Sequence, residues 1–589
     1  MTRKGLAVMV LMGWLTLPVM AQEGRPVSGL IVKLKKQQGA QAQALVTPQK
    51  RLGRVAYAAG YTSLMPWRSM GPDTAVMQFP TRVKKETAER LMARALASGE
   101  IEWVEPNVRE KLQAVVTPND PYYNDASLFD EGQWWLQGAT TGNAQSKTLR
   151  QRGVPNIDLA WQTSTGQLQT NGTVIAVLDT GKLNHPDIDN ARVLPGYDFV
   201  SEVASANDGG GRDADPTDPG DWVTSSEVQQ AEFSGCDVQR SSWHGLVIQG
   251  FLAARSNNGT GVAGINWNAR ILPVRVAGKC GATVSDIVDG MRWAAGLSVS
   301  GVPNNTNPAK IINISFGGNG ACGQAYQNAI NEVRALGVIV VAAAGNEHHG
   351  VSRPGNCSGV VTVAALNREG FKATYSNFGA EVFISTIGGD PSFSSDAGAW
   401  APYVADTGML GVYNDGQTSA GGSGYAYHAG SSYSAPVVAG VLSLMLDVNP
   451  SLTVAQLEQG LRLSARPHVV SSLIGACSSS NPGRCVCSTS TCGHGMLDAE
   501  QALVYAAAPS SYVAPGVATE NIDAAEVVQA VAFAAADRPA NPVATSSVSN
   551  TGGGGGGGGG SLDETILLAG AALMTVLAGR RFMRRRASR

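Results

Sequence analysis

Short apolar runs flanked by glycines and separated by segments of helix length constrain this chain more than any other feature. They cover residues 174–178, 271–276, 311–316, 338–344 and 360–364. A strand that is apolar on both faces must be covered on both, and sheets built of such strands are parallel, with crossover helices above and below. The chain from 119 to about 508 is therefore expected to be an α/β domain in three layers, a parallel sheet between helices. A composition of 43% apolar and 15% charged residues over 589 supplies a large core and excludes a disordered polyelectrolyte.

The two ends read as addresses. Arg3 and Lys4 precede an apolar run at 5–19, and Val19-Met20-Ala21 is a small-x-small site, so residues 1–21 are expected to be a secretory signal peptide. At the other end, 551–589 holds an unbroken glycine run at 552–560, an apolar stretch at 566–579, and Arg580, Arg581, Arg584, Arg585 and Arg586. A glycine run is a flexible tether. The apolar stretch is short against the roughly 20 residues that span a bilayer, and the arginines favour a cytoplasmic end. This tail resembles the C-terminal sorting signals of Gram-negative surface proteins, in which a Gly-rich motif, a short membrane helix and an Arg cluster are cut by a membrane-embedded rhomboid-type protease. A permanent tail anchor is the other reading.

Between the ends, residues 22–118 carry strand, helix and strand patterns at 30–32, 84–96 and 101–107, the elements of a small α+β domain. Its border, Thr117-Pro118-Asn119-Asp120-Pro121, is turn chemistry open to cleavage. Residues 509–550 are rich in Ala, Val and Ser and are expected to be a stalk with weak helices. The net charge of -2 argues against a nucleic-acid binder, but it is a sum of opposites. Residues 1–118 hold 17 basic and 8 acidic side chains, 119–550 hold 21 and 36, and 551–589 hold 6 and 2. All eight cysteines follow residue 118, and an even number in an exported chain reads as disulfides, with the pairing open. The Cys485-x-Cys487 spacing does not suit a zinc knuckle.

Three short motifs end these elements. Asp179 closes the apolar run at 174–178, which puts its carboxylate at the carboxyl edge of the sheet, where ligand crevices form. His244, in Trp243-His244-Gly245, opens an apolar helix. Ser432 lies in Gly430-Ser431-Ser432-Tyr433-Ser434-Ala435-Pro436, where a small-residue loop enters a helix whose first turn can host Pro436. Alone, each could be a cap or turn residue. Together they supply a hydroxyl nucleophile, a base for its proton and a carboxylate to orient that base.

The order Asp, His, Ser and the local sequences resemble the subtilisin-like serine proteases over roughly residues 120–505, with an inhibitory pro-domain before them. A Gly-x-Ser-x-Gly elbow, the mark of a lipase or esterase, is missing at 430–434. The resemblance implies a subtilisin-like three-layer fold and a secreted, self-processed endopeptidase. Ser432 would be its nucleophile, His244 the general base and acid, Asp179 the orienting carboxylate and Asn346 the oxyanion-hole amide, with the Ser432 N–H as partner. It further implies a substrate-binding edge at Ser315, Phe316, Gly317 and Gly318, where glycines admit the peptide backbone, and a pocket wall at Ala343, Ala344 and Gly345. Glu347 beside that pocket suggests a preference for Lys or Arg before the scissile bond. Asp187 and Asn258 match positions that ligate a structural calcium in many members. The implied partners are protein or peptide substrates, the chain's own pro-domain and a membrane-embedded protease that trims the tail.

The chain departs from the family pattern at Trp243, Val247 and Tyr433, which bears on pocket shape and specificity. The 65-residue interval from Asp179 to His244 contains, at 202–237, nine acidic residues against Arg212 in the stretch and Arg240 just after it. It is expected to be a solvated acidic loop beside the site; calcium binding and discrimination against acidic substrates are its other readings. His348, His349, His428, His468 and His494 are expected to be ordinary loop or core residues. A surface binding module that keeps the fold without turnover is the competing function.

Overall fold

A computed structural model describes residues 27–36, 47–71, 73–107, 116–124, 131–140, 151–391, 406–472 and 474–522. The expected signal peptide, the glycine run, the Arg tail and most of the expected stalk lie outside the described residues. The chain divides into two compact units, Met1–Gln113 and Ala114–Arg589.

The first unit has a four-stranded antiparallel sheet in the order β2-β3-β1-β4, made of β1 (Val27–Leu34), β2 (Met65–Gly71), β3 (Thr74–Val83) and β4 (Ile101–Asn107). Helices α1 (Pro48–Ala58) and α2 (Lys85–Ala97) contribute Leu52, Val55, Ala88 and Leu91 to a core shared with Leu30, Val32 and Met77. β2 is exposed along its whole length, Met65 and Trp67 included.

The second unit is built on seven parallel strands in the order β11-β10-β9-β8-β5-β7-β6. These are β5 (Val174–Asp179), β6 (Tyr197–Asp198), β7 (Arg270–Arg275), β8 (Ile311–Ile314), β9 (Ile339–Ala343), β10 (Val360–Leu366) and β11 (Ile384–Ile387). Alternate residues serve two cores. Ile175, Val177, Ile339 and Val341 face α3 (His244–Ala253), while Ala176, Leu178, Val340 and Ala342 face α4 (Val284–Ala294) and α5 (Gln324–Ala335). On the α3 side lies α6 (Ser431–Val448), buried along nearly its whole length, which is why it is apolar all round. It begins earlier than the position of Pro436 suggested. Pro436 therefore stands inside the helix, where it lacks the N–H that Ser432 C=O would accept. An antiparallel pair, β12 (Met409–Asn414) and β13 (Ser423–His428), precedes α6. Helices α7 (Val454–Ser464) and α8 (Ala499–Ala507) close that layer.

Both borders of this unit shift from the sequence expectation. The Val116 N–H already bonds Gln162 Oε1 at 2.9 Å, so the turn-rich border belongs to the second unit. Past Ala508 the described chain forms no helix and stays attached: Glu520 pairs with Arg152 at 2.7 Å and Ile522 is fully buried. The cysteines form four disulfides, Cys236–Cys280, Cys322–Cys357, Cys477–Cys485 and Cys487–Cys492. The sulfurs of Cys477, Cys487 and Cys492 lie together, but each is bound in a disulfide and offers no thiolate to a metal.

Candidate active site

β5 delivers Asp179 to the carboxyl end of the sheet almost fully buried. His244 is the first residue of α3, and its Nδ1 lies 2.8 Å from Asp179 Oδ1 and 3.0 Å from Oδ2. Asp179 accepts only, so Nδ1 carries the hydrogen and Nε2 is left as the base. Asp179 Oδ1 is itself held by the Thr180 N–H at 2.8 Å. Burial works to lower the His244 pKa, but the adjacent Asp179 charge and its hydrogen bond, then Asp221 and Asp218, outweigh it and raise the pKa above 6.5.

Ser432 stands in the first turn of α6, where N–H groups have no partner within the helix. Asn346 follows β9 across a short loop. Its Oδ1 accepts the Ser431 N–H at 2.8 Å, which fixes the amide and leaves Nδ2 as a donor toward Gly430. Ser431 Oγ also bonds both the N–H and the C=O of Gly345 at 3.1 Å, so the Asn346 loop and the start of α6 move as one piece.

Ser432 and Asn346 line one cleft with Ser315, Phe316, Gly317, Ala343, Gly345, Glu347, Ser352 and Ser431. Two residues expected there have other duties. Gly318 gives its N–H and C=O to Arg353, each at 3.0 Å, and has neither left for a substrate strand. Ala344 is buried behind the wall, its C=O accepting the Ser352 N–H at 2.9 Å. Nor is β8 a sheet edge, since β5 and β9 flank it; only the residues beyond its end reach the cleft. A Cβ at Gly317 would come within 2.4 Å of Arg353 O, so this glycine answers to the chain's own crossing segment.

Beneath the wall lies a polar brace that the sequence did not announce. Glu347 Oε2 accepts from Asn377 Nδ2 at 2.6 Å, the Asn346 N–H at 3.0 Å and Ser352 Oγ at 3.3 Å. Buried Asn377 returns its Oδ1 to the N–H groups of Glu347 (2.9 Å) and His349 (3.0 Å). Gly345, at φ 109°, has no room for a Cβ, which would fall 2.3 Å from Asn377 Nδ2.

The acidic stretch 202–237 is a solvated loop only in part: Glu202, Asp208, Asp213, Asp215, Glu232 and Asp237 are exposed, but two of its acids are not. Asp218 and Asp221 are buried near His244, and Arg275 pairs with Asp198 and with Asp208 (2.7 Å). Arg212 bridges Asp286 and Asp289, each at 2.7 Å. Lys279 pairs with Glu227 at 2.5 Å and lies 4.3 Å from the Trp222 ring centre. Tyr433 sets its ring 5.7 Å from that of His244, with buried His428 at 5.2 Å behind it.

Asp187 and Asn258 do come together, at 3.1 Å from Asn258 Nδ2 to Asp187 Oδ1. The Val262 N–H bonds Asp187 Oδ2 at 2.8 Å, and a Cβ at Gly261 would strike that oxygen and Tyr425 Oη. A second carboxylate, missed in the sequence, belongs here: buried Asp120, whose Oδ2 accepts the Asn257 N–H at 2.6 Å while Oδ1 has no partner. Burial pushes Asp187 up to about 6, and the Asp120 charge adds to the effect. Two buried carboxylates, one with an orphaned oxygen, form an oxygen-only donor set that fits a hard cation.

A parallel sheet carrying an Asp–His pair at its carboxyl end, together with a cleft lined by a helix-start serine, defines a class of α/β hydrolytic scaffold. Residues 170–495 match the subtilase family, peptidase S8, and the chain belongs to that family. It is 38% identical over 441 residues to an extracellular protease of Xanthomonas campestris, covering 74% of this chain and 65% of that protein. An extracellular basic protease of Dichelobacter nodosus is 35% identical over 65% of this chain and 57% of its own length. The chain thus spans less than two thirds of these relatives. A solved protease structure from Pseudoalteromonas arctica superposes with a TM-score of 0.53 at 42% identity, covering 66% of this chain and all of that one.

Proposed function

We propose that this chain is an exported serine endopeptidase that cleaves protein and peptide substrates through Asp179, His244 and Ser432, and is made as a self-processed zymogen. The observation that carries the reading is the Asp179–His244 pair at 2.8 Å, with His244 Nε2 left free as a base. His244 Nε2 takes the Ser432 Oγ proton as Oγ bonds to the scissile carbonyl carbon. The oxyanion that forms accepts from Asn346 Nδ2 and the Ser432 N–H. Collapse breaks the C–N bond while His244 returns the proton to the leaving amine, and water repeats the sequence on the acyl-enzyme.

Both named relatives are extracellular, which agrees with the signal reading of residues 1–21. Residues 22–118, with their own sheet and core, act as the pro-domain of that zymogen. Glu347 has no cation paired with it among the described residues, which favours Lys or Arg before the scissile bond. A structural calcium would be held by Asp187 and Asp120, with Asn258 and neighbouring carbonyls, and would lock the loop at 257–262. The tail at 551–589 acts as a sorting signal that a membrane-embedded protease removes.

Casein clearing by the wild type and by Ser432→Ala tests the core of this reading. Clearing should vanish with the serine, and intact mass should show Ser432→Ala keeping residues 22–118. Equal clearing by both would favour the binding-module alternative and defeat the protease.

A further inference from the structure

Helix α3, which carries His244, has no cap of its own. The preceding Trp243 is buried, sits in left-handed backbone at φ 49° and makes no capping bond. Helix-start N–H groups lack partners within the helix and take other acceptors. Two hydroxyls supply them: Ser242 Oγ accepts the His244 N–H at 3.3 Å, and Thr180 Oγ1 accepts the Gly245 N–H at 3.0 Å. A hydroxyl that accepts still has a proton to donate. Ser242 donates its proton to Asp221 Oδ2 at 2.8 Å, and Thr180 donates to Asp218 Oδ2 at 2.6 Å. The remaining carboxylate oxygens take the Ser242 N–H at 2.6 Å and the Gly220 N–H at 2.8 Å. Two relays of carboxylate, hydroxyl and helix N–H therefore end side by side on His244 and Gly245.

Both acids lie on the segment inserted between β5 and α3. That segment is registered against the loop after β5 by backbone bonds of 2.9 Å, from the Lys182 N–H to Pro216 O and from the Asp218 N–H to Lys182 O. Neither acid is among the residues that line the cleft. We propose that Asp218 and Asp221 are positioning residues for His244: through Thr180 and Ser242 they fix the first turn of its helix, and their charge supports the imidazolium formed when Ser432 gives up its proton. This rests on the triad reading of the site.

The groups facing His244 are few. Asp179 comes from β5, Asp218 and Asp221 from the insertion, and the Tyr433 ring from α6. His428, from β13, is pushed down to about 4 by burial and is neutral at working pH. Arg275, from β7, acts on Asp218 and favours its charge. Burial pushes Asp218 up to about 7, with Asp221 adding to the rise, and burial also raises Asp221. The negative charge of Asp218 thus grows in around neutral pH.

The sign follows from the role of His244, which must be neutral to accept a proton. Removing a nearby negative charge lowers its pKa and moves the ascending limb of kcat/KM to lower pH. The test uses mature enzyme processed from the full chain, a peptide p-nitroanilide, and active-site titration with a fluorophosphonate so that only folded enzyme is counted. Wild type should show an ascending limb above pH 6.5. Asp218→Asn and Asp221→Asn should each move it acidward by roughly half a unit or more, and lower the plateau kcat at unchanged KM. Asp221→Glu should restore the limb, and Ser242→Ala should lower kcat with the limb in place. Loss of rate with an unmoved limb in both Asn variants would overturn the proposal, leaving the acids a purely structural role. If one Asn variant gives no titratable sites, the other decides by the same criterion. Wild-type labelling at a residue other than Ser432 would bring down the triad reading and this proposal with it.

Discussion

Asn346 is the residue whose substitution most directly separates positioning from chemistry. Its side chain has two ends with two functions: Oδ1 holds the Ser431 N–H at 2.8 Å, and Nδ2 faces the cleft beside Gly430. Asn346→Ala deletes both, while Asn346→Asp keeps an acceptor for Ser431 and replaces the donor by a second anion. A fixed donor to a developing oxyanion is worth about 3 to 4 kcal/mol, and a neutral hydrogen bond such as that to Ser431 contributes about 1 kcal/mol to stability. Both variants should therefore lose about 100- to 1,000-fold in kcat while KM stays within about threefold, because the ground-state carbonyl gains little from the donor. They should differ in stability: Asn346→Ala melts lower than wild type and Asn346→Asp close to it. Steady-state kinetics on a peptide anilide with titrated active sites, together with thermal unfolding, measures both quantities. An Asn346→Asp enzyme with wild-type kcat would refute the donor assignment, whatever happened to its stability.

Glu347→Gln keeps an acceptor for Asn377 and removes the charge, so the Lys-to-Leu cleavage ratio in a peptide panel should fall by about tenfold, equivalent to about 1.4 kcal/mol of discrimination; an unchanged ratio would make Glu347 a brace alone. Lys372 is buried with Nζ donating to the carbonyls of Ala373 (2.8 Å), Thr374 (3.2 Å) and Ser376 (2.8 Å). Lys372→Met leaves all three without that donor and should cost about 3 kcal/mol, read as a fall in Tm of several degrees. Chelation of calcium should lower the Tm of the wild type and leave that of Asp187→Ala unmoved, and equal responses would remove Asp187 from the site.

The sheet was legible because burial on both faces writes itself as runs of apolar residues, and Asp179 was legible because it ends one. Ser432 was marked by the small-residue motif that opens α6, and Asn346, a short loop after β9, by the family resemblance. What escaped reading depends on pairings between distant segments. Ser352 reaches the cleft through the antiparallel contact of Gly318 with Arg353, which no local pattern encodes. Asp120 joins Asp187 from 67 residues away, behind a loop that the sequence marks only as turn chemistry. Gly318 looks like room for a substrate strand, yet its backbone pairs with the chain's own Arg353, while Gly317 does line the cleft. The charge of 202–237 was legible at its exposed acids, but composition could not show that Asp218 and Asp221 are buried, or that Arg275 and Lys279, beyond α3 in sequence, lie among the acids.

That last pairing bears on how two buried carboxylates can stand beside His244. Removing an ion from water costs several kcal/mol even after relaxation, and two like charges add to the cost. Each acid recovers part of it from two donors, at about 1.5 to 3 kcal/mol for a hydrogen bond to a charged group. Donors work only while the segment that carries the acids stays in place, and the insertion is fastened on several sides. Cys236–Cys280 ties its far end to the chain after β7, Lys279 sits between Glu227 and the Trp222 ring, and Arg275 reaches Asp208. All three fastenings converge on residues 275–280, the last residue of β7 and those just after it, and β7 pairs with β5, the element that carries Asp179. The insertion, His244 and Asp179 are thereby referenced to one pair of strands. Loosening any fastening should let water reach Asp218 and Asp221, and the histidine would then lose the support of their charge before the fold itself gave way.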